Sequence, residues 1–175
     1  MTRRILEVVK VLNETILSGK FNPEDIVRIK HSEVVKIDGK KAVKFDVSYD
    51  SDQLDNIILQ AKILASKIVG YEEEINSIQI DIPKSQTTTV TIPLEANSVY
   101  DFFQTISIAR VDENDAPVNL SLKNIRIESE DGTSEPFDLT SMSQVLDDSL
   151  DDKKDNGASL PAVLLVLFML LQVFF

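Results

Sequence analysis

Apolar side chains recur at helical spacing in three stretches of the chain. Residues at i, i+3, i+4 and i+7 share one face of an α-helix, so each stretch predicts an amphipathic helix that buries that face. The stretches are 2–21, 51–70 and 97–106. Their apolar positions are Ile5, Val8, Val9, Leu12, Ile16 and Leu17, then Leu54, Ile57, Ile58, Ala61, Leu64, Ala65 and Ile68, and last Val99, Phe102, Phe103 and Ile106.

Between these stretches apolar and polar residues alternate, which is the period of a half-buried β-strand. Three pairs of alternating runs predict antiparallel hairpins: one around the Asp38-Gly39 turn, one within 75–95 and one within 107–127. The last strand changes phase, which predicts a bulge at Lys123-Asn124. Hairpins between helices predict an α+β fold, with a mostly antiparallel sheet built from hairpins and helices on one face.

The chain ends in SLPAVLLVLFMLLQVFF, with no charged side chain after Asp155. As a helix, 160–175 would measure about 24 Å, slightly less than the roughly 30 Å hydrocarbon core of a bilayer. The segment has no polar face, so it must be buried in lipid or in protein. We predict a carboxy-terminal membrane anchor formed by Leu160, Val163, Leu164, Leu165, Leu167, Phe168, Leu170, Leu171, Phe174 and Phe175.

Two alternatives to an uncleaved anchor remain open. One is a GPI-type signal, because 156–159 offers small residues before the hydrophobic end, and it would make the chain an exported surface protein. The other is a core or interface helix of a soluble ligand carrier or enzyme. Two sequons, at Asn13 and Asn119, could be glycosylated only if the chain entered a secretory lumen, and we otherwise expect them to arise by chance.

Charge divides the chain into regions. The net charge is −11, and residues 128–159 carry ten acidic side chains against two lysines. We therefore predict a globular domain at 1–127, an acidic flexible tether at 128–159 and the anchor at 160–175. The amino-terminal helix lacks the continuous apolar core of a signal peptide, and Lys153 and Lys154 precede the anchor, so the domain is expected on the cytoplasmic side.

The composition excludes several kinds of chemistry. There is no cysteine, which excludes disulfides, thiolate metal sites and cysteine nucleophiles, and His31 is the single histidine. No nucleophile elbow or phosphate-binding glycine loop occurs. We therefore predict no enzymatic activity, no catalytic residue and no cofactor.

Two acidic clusters are possible cation sites. Asp50, Asp52 and Asp55 are better explained as carboxylates at the start of the second predicted helix, where its dipole stabilises them. The weak metal candidates are the loop residues Asp112, Asn114 and Asp115, which lack the spacing and glycine of a calcium loop.

One basic cluster stands out within the first predicted hairpin. The members of this basic hairpin are Arg28, Lys30, Lys36, Lys40, Lys41 and Lys44. Held near a bilayer, such residues attract anionic lipid or an acidic protein partner, whereas sparse aromatic residues argue against nucleic acid. The leading hypothesis is a non-enzymatic, membrane-anchored module that binds a partner protein or lipid head groups through this surface; the sequence leaves the oligomeric state open.

Overall fold

A computed structural model describes residues 5–11, 14–66, 72–94, 100–139 and 145–147. Within these ranges every regular element is a β-strand, and no helix long and apolar enough to cross a membrane is present. The strands are β1 (Glu7–Val11), β2 (Glu14–Phe21), β3 (Ile26–Lys36), β4 (Lys40–Asp50), β5 (Asn56–Ser66), β6 (Glu72–Pro83), β7 (Thr88–Pro93), β8 (Phe102–Arg110), β9 (Val118–Ser129), β10 (Ser134–Pro136) and β11 (Val145–Asp147). The α+β prediction, with helices on one face of the sheet, is therefore wrong.

The strands form two antiparallel sheets. Sheet A has the order β1-β2-β9-β4-β7, with β10 also paired to β9, and sheet B has the order β11-β3-β8-β5-β6. Alternate side chains of both sheets meet in one core, whose largest fully buried members include Phe21, Phe45 and Phe103. The molecule is thus a β-sandwich, because each sheet buries one face against the other and leaves the second face to solvent.

The predicted hairpins contain real strands with the wrong partners. The members of each pair, β3 and β4, β6 and β7, and β8 and β9, lie in different sheets. The Asp38-Gly39 turn exists, with Gly39 at φ 82°, but it carries the chain from sheet B to sheet A. Alternation reports which side chains are buried but not which sheet a strand joins, so it does not distinguish a hairpin turn from a short connection between two sheets.

The described parts of the second and third predicted helices contribute to strands β5 and β8, for two local reasons, whereas 67–70 and 97–99 lie outside the described residues. In β5 the buried residues Ile57, Leu59, Ala61 and Ile63 alternate strictly, but Ile58 and Leu64 add apolar side chains on the outward face and hide that period. In β8 a register irregularity between Phe103 and Thr105 separates the buried Phe103 and Ile106 by three residues. A β-bulge therefore reproduced the spacing of a helix.

The first predicted helix is the hairpin of β1 and β2. Val9 and Val11 of the edge strand β1 are exposed apolar residues, which disguised the strand period. The bulge predicted near Lys123 and Asn124 is confirmed: β9 carries an extra residue opposite β4 between Lys123 and Arg126, and Asn124 has φ 56°.

The fold continues past the boundary predicted at residue 127. Strand β9 ends at Ser129, β10 pairs with it, and Phe137 is buried with its N–H donating to the Ile125 carbonyl at 2.8 Å. Strand β11 then pairs with β3. Residues 128–139 and 145–147 of the predicted tether therefore belong to the sandwich, whereas its remaining residues and the predicted anchor 160–175 lie outside the described residues.

Candidate functional site

The outward face of sheet A is polar where its three central strands lie side by side. Leucine and aromatic residues of β2, β9 and β4 point into the core, so the alternate residues of the same strands point to solvent. The strand register aligns these outward residues in rows that cross β2, β9 and β4. The rows are Ser18, Ser121 and Ser48 in the middle, Lys20, Asn119 and Asp50 on one side, and Ile16, Lys123 and Asp46 on the other.

The middle row is lower than its neighbours because serine is the shortest of these side chains. The three rows form a polar face whose middle row carries only hydroxyl groups, and this face is here named the hydroxyl trough. Two depressions open beside it, one of about 340 Å³ next to Ser48 and Gln86 and one of about 210 Å³ next to Lys20. Asp50 and Asn119 line both depressions, so the two lie on either side of the row that these residues share.

Asp46, an acidic residue of the trough, forms hydrogen bonds and an ion pair with other residues of the protein. Asp46 accepts hydrogen bonds from the Thr89 hydroxyl at 2.8 Å and the Asn124 amide at 3.3 Å, and Arg126 lies 3.6 Å away. Burial acts to raise the pKa of Asp46, but these hydrogen bonds and the Arg126 charge outweigh it and hold the pKa below its ordinary value. Asp46 therefore fixes the bulge of β9 to the neighbouring strands.

Most other polar side chains of the trough have no partner in the protein. Within the described part of the chain, the side chains of Lys20, Lys123, Asn119 and the three serines make no hydrogen bond or ion pair. Asp50 accepts one hydrogen bond, from the Ser51 N–H at 3.0 Å. Asn119 is exposed and the serines of the floor are half-buried, so these groups are accessible to a bound molecule.

The structure divides the basic hairpin between the two sheets. Arg28, Lys30 and Lys36 belong to β3 of sheet B, whereas Lys40, Lys41 and Lys44 belong to β4 of sheet A. Lys40 and Lys44 also form ion pairs, with Glu135 and Glu128, each at 3.2 Å. The six residues therefore do not form one surface, and a partner-binding role for either half stays a prediction.

One of the three weak metal candidates, Asp112, forms an ion pair with Arg110. Both Asp112 oxygens accept from Arg110, at 2.7 and 3.1 Å, and the Asn114 amide donates to Asp112 at 3.3 Å. Burial acts to raise the pKa of Asp112, but the bonds and charge of Arg110 and the Ile58 N–H hold it below its ordinary value. Among the described residues, no group of three or more acidic or histidine side chains could hold a metal ion.

A larger cavity of about 760 Å³ lies at the edge of sheet A, between the start of β2 and β10. Its floor contains Ile125 and Phe137, which are buried in the core, and its rim contains Glu14, Asn124 and Arg126. Arg126 is already bound to Asp46 and to the Asn124 carbonyl, at 2.8 Å in the second case. Its polar rim is thus partly used by hydrogen bonds and an ion pair within the protein.

Comparison with solved structures shows what the sandwich resembles. It is similar to CBM28, a carbohydrate-binding module specific for non-crystalline cellulose, with a TM-score of 0.54 and 15% identity, over 71% of this chain and 80% of that one. A family 11 carbohydrate-binding module from Clostridium thermocellum, in complex with a β-1,3-1,4-mixed-linked tetrasaccharide, gives a TM-score of 0.47 and 15% identity over 72% and 82%. No protein-family model and no curated protein matches the sequence. The first likeness establishes a shared fold.

This fold corrects the leading functional hypothesis. That hypothesis placed an α+β domain on a carboxy-terminal anchor, with the basic hairpin as its binding surface. The described residues instead form a β-sandwich similar to that of CBM28, and this fold divides the basic hairpin between two sheets. The predicted location on the cytoplasmic side of a membrane is corrected for the same reason.

Sequence reasoning missed the hydroxyl trough. The sequence pattern places Asp50 at the start of a predicted helix, and Asn119 stands out only as part of a sequon. The signal was present in β2, β4 and β9, whose outward positions hold short hydroxyl and amide side chains. These positions become neighbours only when β9 lies between β2 and β4.

Proposed function

We propose that the protein is a non-catalytic carbohydrate-binding module that binds sugar in the hydroxyl trough. The observation that carries the proposal is the set of unengaged hydroxyl, amide and charged side chains that three adjacent strands bring to one face. The similarity of the sandwich to CBM28 supports the same class of function.

The chemistry of the trough suits sugar hydroxyl groups. A sugar hydroxyl both donates and accepts hydrogen bonds, and the serine and asparagine side chains can likewise act as donors or acceptors. Asp50 supplies an acceptor, and Lys20 and Lys123 supply donors. Each net hydrogen bond contributes only about 0.5–1.5 kcal/mol, so affinity must come from several contacts along the trough.

No aromatic side chain occupies the outward positions of β2, β4, β7 and β9 in the described part of the chain. Binding in the trough therefore relies on hydrogen bonds more than on stacking against a ring. We propose an exported location for this module, because structural polysaccharides lie outside the cytoplasm.

Affinity electrophoresis of the full chain through gels that contain soluble polysaccharides tests the proposal. The double variant Asn119→Ala with Ser121→Ala removes two hydrogen-bonding groups from the trough, so we expect binding about tenfold weaker than that of the wild type. Gln79→Ala is the matched control, because Gln79 is an exposed polar residue of β6 in the opposite sheet. Failure of every polysaccharide to retard the wild type, or equal retardation of the double variant, would overturn the proposal.

A further inference from the structure

Two lysines approach the same pair of serines from opposite sides of the trough. Ser18 of β2 lies directly opposite Ser121 of β9. Lys20 follows Ser18 by two residues and Lys123 follows Ser121 by two residues, and the strands run in opposite directions. Each lysine is therefore the diagonal neighbour of the serine on the other strand, a separation that long side chains can span.

These lysines differ from the other basic residues of the face. Lys44 pairs with Glu128 at 3.2 Å and Arg126 with Asp46 at 3.6 Å. Lys20 and Lys123 form no ion pair within the described part of the chain, although the protein has 29 acidic residues against 18 lysines and arginines. Because these two cations flank one serine pair, an anion placed between them would be attracted by both.

The acidic groups near the trough limit where such an anion can sit. Asp46 is neutralised by Arg126, and Glu7 is exposed on β1 opposite Ser18. Asp50 lies on β4, one strand beyond Asn119. Glu7 therefore disfavours an anionic group at the β1 edge and Asp50 disfavours one over β4, which leaves the position between Lys20 and Lys123, over β2 and β9, as the one where an anion meets two cations.

We propose that the hydroxyl trough binds an acidic polysaccharide, with a sugar carboxylate held between Lys20 and Lys123 above Ser18 and Ser121. This inference rests on the proposed function and adds the class of its ligand. The carboxylate accepts hydrogen bonds from both ammonium groups and both serine hydroxyls, whereas a neutral sugar at that position receives no charge-assisted bond.

Polygalacturonic acid and its methyl ester form a matched pair of probes, because they share chain and hydroxyl groups and differ in charge. For the full chain in calcium-free buffer at low salt, we expect the acid to bind about tenfold more tightly than the ester. Added salt should reduce that preference, since exposed charges are screened. Lys20→Met and Lys123→Met should each lower the preference several-fold, and Asp50→Asn should strengthen binding of the acid.

Lys41→Met is the control for the lysine variants. Lys41 is exposed on β4, lies outside the trough, and its replacement changes the net charge by the same amount. Equal affinity for acid and ester, or an equal loss in Lys41→Met, overturns the acidic ligand but leaves a neutral sugar ligand standing. If the full chain binds neither probe and no other polysaccharide, the proposed function itself is overturned.

Discussion

The ion pair between Arg110 and Asp112 gives the sharpest test of how this sandwich is held together. The Arg110 side chain is 0% exposed and that of Asp112 is 5% exposed. Arg110 also donates from Nη1 to the Ala116 carbonyl at 2.6 Å, and the Ile58 N–H donates to Asp112 at 3.3 Å. The substitution Asp112→Asn keeps the shape of the side chain but leaves a buried guanidinium without its counter-charge.

The magnitude follows from the burial of this pair. Removing one partner of a buried ion pair costs about 3–5 kcal/mol, because the remaining charge stays desolvated and uncompensated. For a chain of this size each kcal/mol lowers Tm by about 2–4 °C. We therefore expect Asp112→Asn to lower Tm by roughly 6–20 °C at neutral pH.

Thermal unfolding of the full chain, followed by circular dichroism, measures this effect. The double variant Arg110→Met with Asp112→Asn should recover part of the loss, because it removes the stranded charge. Calcium and a chelator should leave the Tm of the wild type unchanged if Asp112 serves Arg110 and not a metal ion. A double variant no more stable than Asp112→Asn, or a Tm that rises with calcium, would refute the reasoning.

Three further outcomes are expected from the structure. Folding lowers the pKa of Asp46 and Asp112, so each carboxylate stabilises the fold at pH values above its unfolded pKa. This stabilisation is lost as the pH falls through the pKa of the folded state. Tm should therefore drop steeply below about pH 4, and less steeply in the variant Asp46→Asn. Gly19→Ala should cost about 1–3 kcal/mol in chemical denaturation, because the new Cβ would lie 2.7 Å from the Ile5 carbonyl oxygen. Phe137→Ala should cost about 3–5 kcal/mol in the same assay, since Phe137 is 4% exposed, and a variant as stable as the wild type would place 128–139 outside the cooperative fold.

The strands that could be predicted are those with one buried and one polar face. Val43, Phe45, Val47 and Tyr49 are buried in β4 as their alternation indicates, and Ile82, Val90 and Ile92 are buried in β6 and β7. The strands that were mistaken for helices carry apolar residues on both faces or contain a bulge. Ile58 of β5 and the irregularity after Phe103 of β8 are the clearest cases.

The candidate site is harder to predict from the sequence than the strands are. Charge density along the chain drew attention to the basic hairpin, but its two strands separate into different sheets. The trough joins Ser18, Ser48 and Ser121, which are far apart in sequence and carry no charge. Proximity created by strand order leaves no local signal, because each residue alone is an ordinary outward-facing serine.

The sequence by itself determined the alternating burial of β4, β6 and β7, the turn at Gly39, the bulge of β9 and the absence of cysteine chemistry. These are local properties, since steric limits on the backbone and the alternation of side chains act over a few residues. Only the tertiary structure decided that successive strands cross between two sheets and that β9 lies between β2 and β4. That choice depends on how two apolar faces pack against each other, and it places the hydroxyl trough on the outside of the sandwich.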